Sequence, residues 1–108
     1  MTKIGKVNFR KMTIGFKIKS LREEAGMLQR ELAYKLNVGD AFISKVERNQ
    51  KVLKREHLKT LSELFNISYS ELETLWLASK VLYIVKGEEK AIDVLKVAEK
   101  ELQYRKSL

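Results

Sequence analysis

Residues 28–49 read LQRELAYKLNVGDAFISKVERN, and this stretch predicts two short helices, at about 29–36 and 40–48, joined by a tight turn. Apolar residues recur at helical spacing on one side of each segment. They are Leu32, Ala33 and Leu36 in the first helix and Phe42, Ile43 and Val46 in the second. Asn37 tolerates the left-handed backbone of such a turn, and Val38 is expected to fill the turn from inside.

Helices are also predicted on both sides of this pair, with short connections between them. Their expected bounds are about 14–25, 55–65, 70–85 and 88–104. Thr13 is the expected N-cap of the first helix, and Ser70 with Glu73 forms the expected capping box of the 70–85 helix. The chain has no proline and five scattered glycines, which favours an all-α fold.

The excess positive charge lies in the first part of the chain. The sequence of 108 residues has a formal net charge of +8. Residues 1–60 hold 15 basic and 6 acidic side chains, whereas residues 61–108 hold 7 and 8. A basic half joined to a nearly neutral half is typical of a phosphate-facing module attached to something else. Residues 1–12 are predicted to form a flexible basic arm.

Several functional classes are disfavoured by composition. No apolar run approaches the ~18–20 residues of a membrane span, and no secretory signal is visible, so a cytoplasmic protein is expected. The chain has no cysteine for disulfides or thiolate metal sites. His57 is the only histidine, Ser44 and Ser62 have no base, and the glycines match no nucleotide-binding motif. We therefore expect no enzyme activity, no cofactor, no metal and no small-molecule ligand.

The segments from Leu28 to Val38 and from Phe42 to Asn49 resemble the phage repressor/Cro-type helix-turn-helix family, also called the XRE family. The resemblance covers residues 13 to about 72. It implies a five-helix repressor-type domain at 13–69, followed by a C-terminal helical extension at 70–108. The second helix of the pair is then expected in the major groove of duplex DNA, while the first crosses the backbone.

The resemblance also implies roles for individual residues. Positions that face base edges are Gly39, Asp40, Ala41, Ser44 and Lys45. Positions that touch the DNA backbone are Gln29, Phe42, Arg48, Asn49 and Gln50. Arg22 and Glu47 match a largely buried salt bridge, with a solvent-exposed pair as the alternative. The charge of Lys51, Lys54 and Arg55 indicates further phosphate contacts, unless this run is only a solvated surface.

Several of these positions leave two interpretations open. Asp40 either accepts a hydrogen bond from cytosine N4 or stabilises the start of its helix through the dipole. Lys45 contacts either guanine or phosphate, and Phe42 packs inward or against a sugar or thymine methyl. Leu28 and Gly39 depart from the hydroxyl N-caps usual in the family. Because the base-facing row is chemically sparse, specificity is expected to rest partly on DNA shape and on the dimer spacing set by the C-terminal helices.

The predicted helices at 70–85 and 88–104 carry more apolar surface than one small domain covers. DNA readers of this class usually work as two-fold dimers, so self-association through these helices is expected. The expected interface residues are Leu75, Trp76, Leu82, Leu95, Ala98 and Leu102. A monomer whose C-terminal hairpin folds back is the alternative.

Together these features predict a transcription regulator of bacterial or phage origin that is associated with the nucleoid. It is expected to bind a palindromic operator in double-stranded DNA as a homodimer. Phage-type repressors and controller proteins of restriction–modification systems are the small members of the family to which it is compared. The alternative is an antitoxin-like protein whose C-terminal helices bind a partner protein.

Overall fold

The computed structural model describes residues 13–108, and the predicted arm at 1–12 lies outside them. In this range the chain forms six α-helices and no strand. Their bounds are α1 Ile14–Glu24, α2 Gln29–Leu36, α3 Asp40–Glu47, α4 Glu56–Phe65, α5 Tyr69–Val85 and α6 Ala91–Lys106. The predicted all-α class, a helix-turn-helix domain with a C-terminal extension, is confirmed.

Local signals in the sequence explain most of the helix ends. Thr13 accepts a hydrogen bond at its hydroxyl from the amide of Phe16, 3.1 Å away, and so caps the start of α1. Asn37 and Asn66 end α2 and α4 in the left-handed conformation, with φ of 57° and 52°. Gly26 has a φ of 67° directly after α1. Asparagine and glycine adopt this left-handed backbone conformation more readily than other residues, which lets the chain change direction after each helix.

Two predicted helix starts need correction. The N-cap of α5 is Ser68 rather than Ser70: its hydroxyl accepts from the amide of Glu71 at 3.2 Å, so the helix begins two residues earlier than that capping box implied. The last helix begins at Ala91 and not at Glu88, because residues 88–90 form a turn closed by a bond from the amide of Ala91 to the carbonyl of Glu88. The connection from α5 to α6 is correspondingly longer.

The core is built by α1 to α5 and by one residue of the loop between α3 and α4. Each fully buried leucine, isoleucine or valine in it contributes about 1.5–3 kcal/mol of hydrophobic stabilisation. The buried residues of this core cluster are Ile14, Ile18, Leu32, Ala33, Leu36, Ile43, Val46, Leu53, Leu58, Leu61, Leu72 and Trp76. The helix α5 lies across the start of α1, where the amide of Ile14 donates to the hydroxyl of Ser79 at 3.2 Å.

The helix α6 differs from the other five because none of its residues is buried. Its apolar side chains include Val97 and Leu102, which are 68% and 64% exposed. Only Ala91 and Leu95 are partly covered by the rest of the chain. None of the helices within residues 13–108 has the length and apolar character needed to cross a membrane.

Candidate nucleic-acid interface

The turn between α2 and α3 sets the direction of the second helix. The amide of Val38 donates to the carbonyl of Ala33 at 2.9 Å, which closes the end of α2 directly after Asn37. Gly39 then caps α3 with an extended backbone at φ −82°. Ile43 and Val46 are anchored in the core. The opposite side of α3 therefore points away from the protein.

The five predicted base-facing residues lie together on this outer side. Gly39, Asp40, Ala41 and Lys45 are exposed, and Ser44 is partly exposed. Within the described chain, no side-chain hydrogen bond or ion pair engages Asp40 or Lys45, so both remain available to a ligand. Phe42 is half-buried and packs against the core, which matches the inward interpretation of this residue.

Beneath α3, a buried ion pair joins the helix to α1. Arg22 Nε donates to Glu47 Oε2 at 2.6 Å and Nη2 donates to Oε1 at 3.0 Å, so the contact is bidentate. Hydrogen bonding to Glu47 raises the pKa of Arg22, which keeps the guanidinium charged. The pair is buried, as the resemblance implied, rather than solvent-exposed.

Gln29 and Met27 complete this network, and the sequence did not indicate these contacts. The side-chain amide of Gln29 donates to Glu47 Oε1 at 2.9 Å, so Gln29 joins α2 to α3 from the inside. Arg22 Nη1 donates to the carbonyl of Met27 at 2.8 Å. Gln29 is only partly buried, so part of its surface remains open to solvent.

The loop after α3 carries the predicted backbone contacts. Asn49 adopts a left-handed conformation with a φ of 62°, and the amide of Gln50 donates to the carbonyl of Lys45 at 2.8 Å. The exposed polar residues of this segment are Arg48, Asn49, Gln50, Lys51 and Lys54. With Lys45, the end of α3 and this loop therefore present four exposed cations on contiguous chain.

Arg55 differs from these four cations because it turns towards α5. Its guanidinium lies 4.9 Å from the ring centroid of Trp76 and 3.6 Å from a carboxylate oxygen of Glu73. It therefore contributes to packing between α4 and α5, in addition to any contact with phosphate.

The structure separates the predicted interface residues into two groups. Leu75 is half-buried against the core, and Trp76 is 5% exposed within its own chain, so these two already pack intramolecularly. Leu82, Ala98 and Leu102 are exposed, and Leu95 is half-buried. Further exposed apolar residues that sequence reasoning did not select are Leu77, Val81, Tyr83, Ile84, Ile92, Val94, Val97 and Tyr104.

Trp76 is corrected from an interface residue to a core residue for a physical reason. Its indole Nε1 donates a buried hydrogen bond to the carbonyl of Leu53 at 2.7 Å. This bond needs Trp76 to face the α3–α4 loop, and a ring in that position is not available to a second chain.

Nothing among the described residues groups three or more histidine, aspartate or glutamate side chains in a way that could hold a metal ion.

Comparison with known proteins agrees with this geometry. The chain is 39% identical over 57 residues to the HTH-type transcriptional regulator ImmR of Bacillus subtilis (strain 168), an alignment that covers 53% of this chain and 45% of that protein. No solved structure gives a significant match. The helix-turn-helix family profile matches residues 18–72, just over half of the chain. As the resemblance predicted, the chain therefore belongs to the XRE-type helix-turn-helix family of DNA-binding transcription regulators.

Proposed function

We propose that this protein regulates transcription by binding a palindromic operator as a homodimer, with α3 in the major groove. The observation that carries the proposal is the two-sided character of α3. Its inner side is held by the core and by the buried pair of Arg22 and Glu47, whereas its outer side is small, polar and without partners in the described chain. A rigidly held helix with a free outer row suits base reading.

The outer row divides between base reading and phosphate contact. Asp40 and Ala41 stand in the first turn of α3, the end that enters the groove, where they meet cytosine N4 and a thymine methyl group. Lys45 lies one turn later and donates to guanine or phosphate. Arg48, Lys51 and Lys54 follow at the end of α3 and in the loop, and they contact the DNA backbone.

The dimer part of the proposal is supported by exposed apolar surface on α5 and α6. Within the single chain, Leu82 is 46% exposed and Leu102 is 64% exposed, and α6 has no buried residue. A soluble protein rarely leaves two neighbouring helices so uncovered, and a second copy related by a two-fold axis would cover both. Such a dimer would present two α3 helices to half-sites about one helical turn apart.

Selection of bound sites from random duplex DNA tests the function. We expect an enriched palindrome with two half-sites, and binding that weakens steeply as salt rises. Lys45→Ala should reduce selection of the palindrome, while Lys59→Ala, an exposed lysine on α4 away from α3, should not. Sequence-blind binding, or a single unrepeated half-site, would contradict the proposal.

The exposed helix α6 also supports a second candidate, an antitoxin-like protein whose C-terminal helices cover a partner protein. Hydrogen exchange on the DNA-bound protein separates the two. Protection of amides throughout α6 in the absence of any other protein favours the homodimer, because its apolar rows are then already covered. An α6 that exchanges freely on DNA favours a protein partner.

A further inference from the structure

The loop between α3 and α4 is anchored to the rest of the protein at two points. The amide of Gln50 is bound to the carbonyl of Lys45, and Leu53 is 2% exposed, with its side chain in the core. Only Lys51 and Val52 lie between these anchors, and Lys54 follows directly. The burial of Leu53 therefore limits the path of the backbone between Lys51 and Lys54.

The second anchor depends on a side chain of α5. The carbonyl of Leu53 accepts the buried hydrogen bond from Trp76 Nε1. The indole N–H is a donor only, and a buried carbonyl that loses its partner costs about 1–3 kcal/mol. The carbonyl of Leu53 and the amide of Lys54 belong to one planar peptide group. The direction of this carbonyl therefore also sets the orientation of the Lys54 amide.

The Trp76 ring is in turn held by charged neighbours. Lys80 Nζ lies 4.0 Å from its centroid and the Arg55 guanidinium 4.9 Å, and Arg55 is also paired with Glu73. Cations over an indole face add to the attraction beyond apolar burial. These interactions hold the ring, the loop and the start of α4 as one unit, although Trp76 itself is too buried to reach DNA.

We infer that Trp76 is a positioning residue for DNA binding, which orients the loop lysines Lys51 and Lys54 towards the DNA backbone through the carbonyl of Leu53. The inference rests on the proposed function. It also connects the loop to the proposed dimer interface, because α5 carries both Trp76 and exposed apolar residues proposed to cover a second copy. Substitution of Trp76 should therefore alter phosphate binding without touching the base-reading row.

A double-mutant cycle tests this inference on the full chain. Trp76→Phe keeps an aromatic ring near its cationic neighbours and removes the N–H together with part of the volume of the indole. In the wild-type background, Lys51→Ala/Lys54→Ala should flatten the slope of log K against log salt by about 0.9 for each phosphate that is no longer neutralised. Trp76→Phe alone should flatten the slope as well, and the lysine substitutions should then have clearly less further effect.

The matched control is Ser79→Ala, which removes another hydrogen bond from α5, the one to the amide of Ile14. It should lower stability without changing the salt slope. If Trp76→Phe also leaves the slope unchanged, or if its effect simply adds to that of the lysine substitutions, the inference is overturned. A wild-type chain that binds no operator rejects the proposed function instead.

A second measurement needs no substitution at position 76. Trp76 is the only tryptophan, so its indole N–H gives a single resonance in a nitrogen-correlated NMR spectrum. Operator binding should shift this resonance in the wild-type protein, and the shift should shrink in Lys51→Ala/Lys54→Ala at equal saturation. A resonance that operator binding leaves unmoved contradicts the inference, even if Trp76→Phe fails to fold.

Discussion

At the level of single residues, Glu47 is the shared acceptor of the hydrogen-bond network beneath the helix pair. Its side chain is 2% exposed, and it accepts from Arg22 twice and from Gln29 once, which joins α1, α2 and α3 at one carboxylate. A charge this deeply buried is tolerated only while its partners are present. The orientation of α3 therefore depends on a carboxylate that is buried inside the protein.

Glu47→Ala is expected to destabilise the fold by about 3–5 kcal/mol, because the buried Arg22 loses its bidentate partner and keeps only the carbonyl of Met27 and the exposed carboxylate of Glu23, 3.8 Å away. The measurement is denaturant unfolding followed by circular dichroism. Glu101→Ala, which breaks the exposed pair with Arg105, is the control and should cost at most about 0.5 kcal/mol. Equal losses in the two variants would show that the pair of Arg22 and Glu47 is energetically ordinary.

Gly15 is the other residue with an unusual role. A Cβ atom at this position of α1 would collide with the carbonyl oxygen of Val46 and with the side chain of Asn49. The close approach lets the start of α1 lie directly on the end of α3. A larger residue would have to push these two helices apart.

Gly15→Ala should therefore lower the free energy of unfolding by about 1–3 kcal/mol. The sign is diagnostic, because the same change in an open helix stabilises by about 1 kcal/mol. Thermal unfolding measures it, with Lys19→Ala on the exposed side of α1 as a control that should change little. A stabilised Gly15→Ala variant would show that the two helices have room to spare.

At the level of elements, the N-terminus of α2 is incompletely capped. The Glu31 carboxylate accepts from the amide of Leu28 at 2.7 Å, but Leu28 has no side-chain oxygen to return a bond to the helix. Half of a capping box is thus present. Leu28 is also 50% exposed, so its apolar side chain adds little to the core.

Leu28→Thr should complete the capping box and stabilise the protein by about 0.5–2 kcal/mol. Thermal unfolding of the variant tests this, and Leu28→Ala serves as the comparison, since it removes the same side chain without supplying a hydroxyl. If threonine and alanine change stability equally, the missing cap has no energetic importance.

The sequence predicted most elements well and some contacts poorly, for identifiable reasons. The bounds of α2 were predicted correctly and those of α3 to within one residue, because apolar spacing and Asn37 act locally. The start of α5 was misplaced because SYSELE contains two overlapping Ser-x-x-Glu patterns, and only the structure shows that Ser68 is the one used. Trp76 was assigned to an interface because helical periodicity does not reveal which surface buries a side chain.

At the level of the whole molecule, the DNA-facing and self-associating surfaces proposed here lie on different parts of the chain. The helix α6 has no buried residue and joins the rest of the protein through Gly87, which has a φ of 81°. Its apolar residues can therefore be changed without opening the core. This separates tests of association from tests of folding.

Leu102→Glu is expected to shift sedimentation from dimer to monomer while the unfolding of the single chain stays nearly unchanged, because a charge at an interface centre is costly only in the dimer. Operator affinity should fall with it. Glu99→Gln on the same helix removes a charge without placing one on the apolar rows and should leave the dimer intact. A Leu102→Glu variant that stays dimeric would move the interface elsewhere.

Self-association through the uncovered helix α6, as proposed above, would also make operator binding sensitive to gene dosage. Where monomers predominate, only a dimer occupies the operator and the operator is far from saturated, occupancy rises with about the second power of the chain's concentration, so halving that concentration lowers occupancy about fourfold. A promoter controlled in this way responds to a threshold in protein number. The delay before that threshold is reached would act as a timer, set by the affinity with which two copies cover one another's exposed helices.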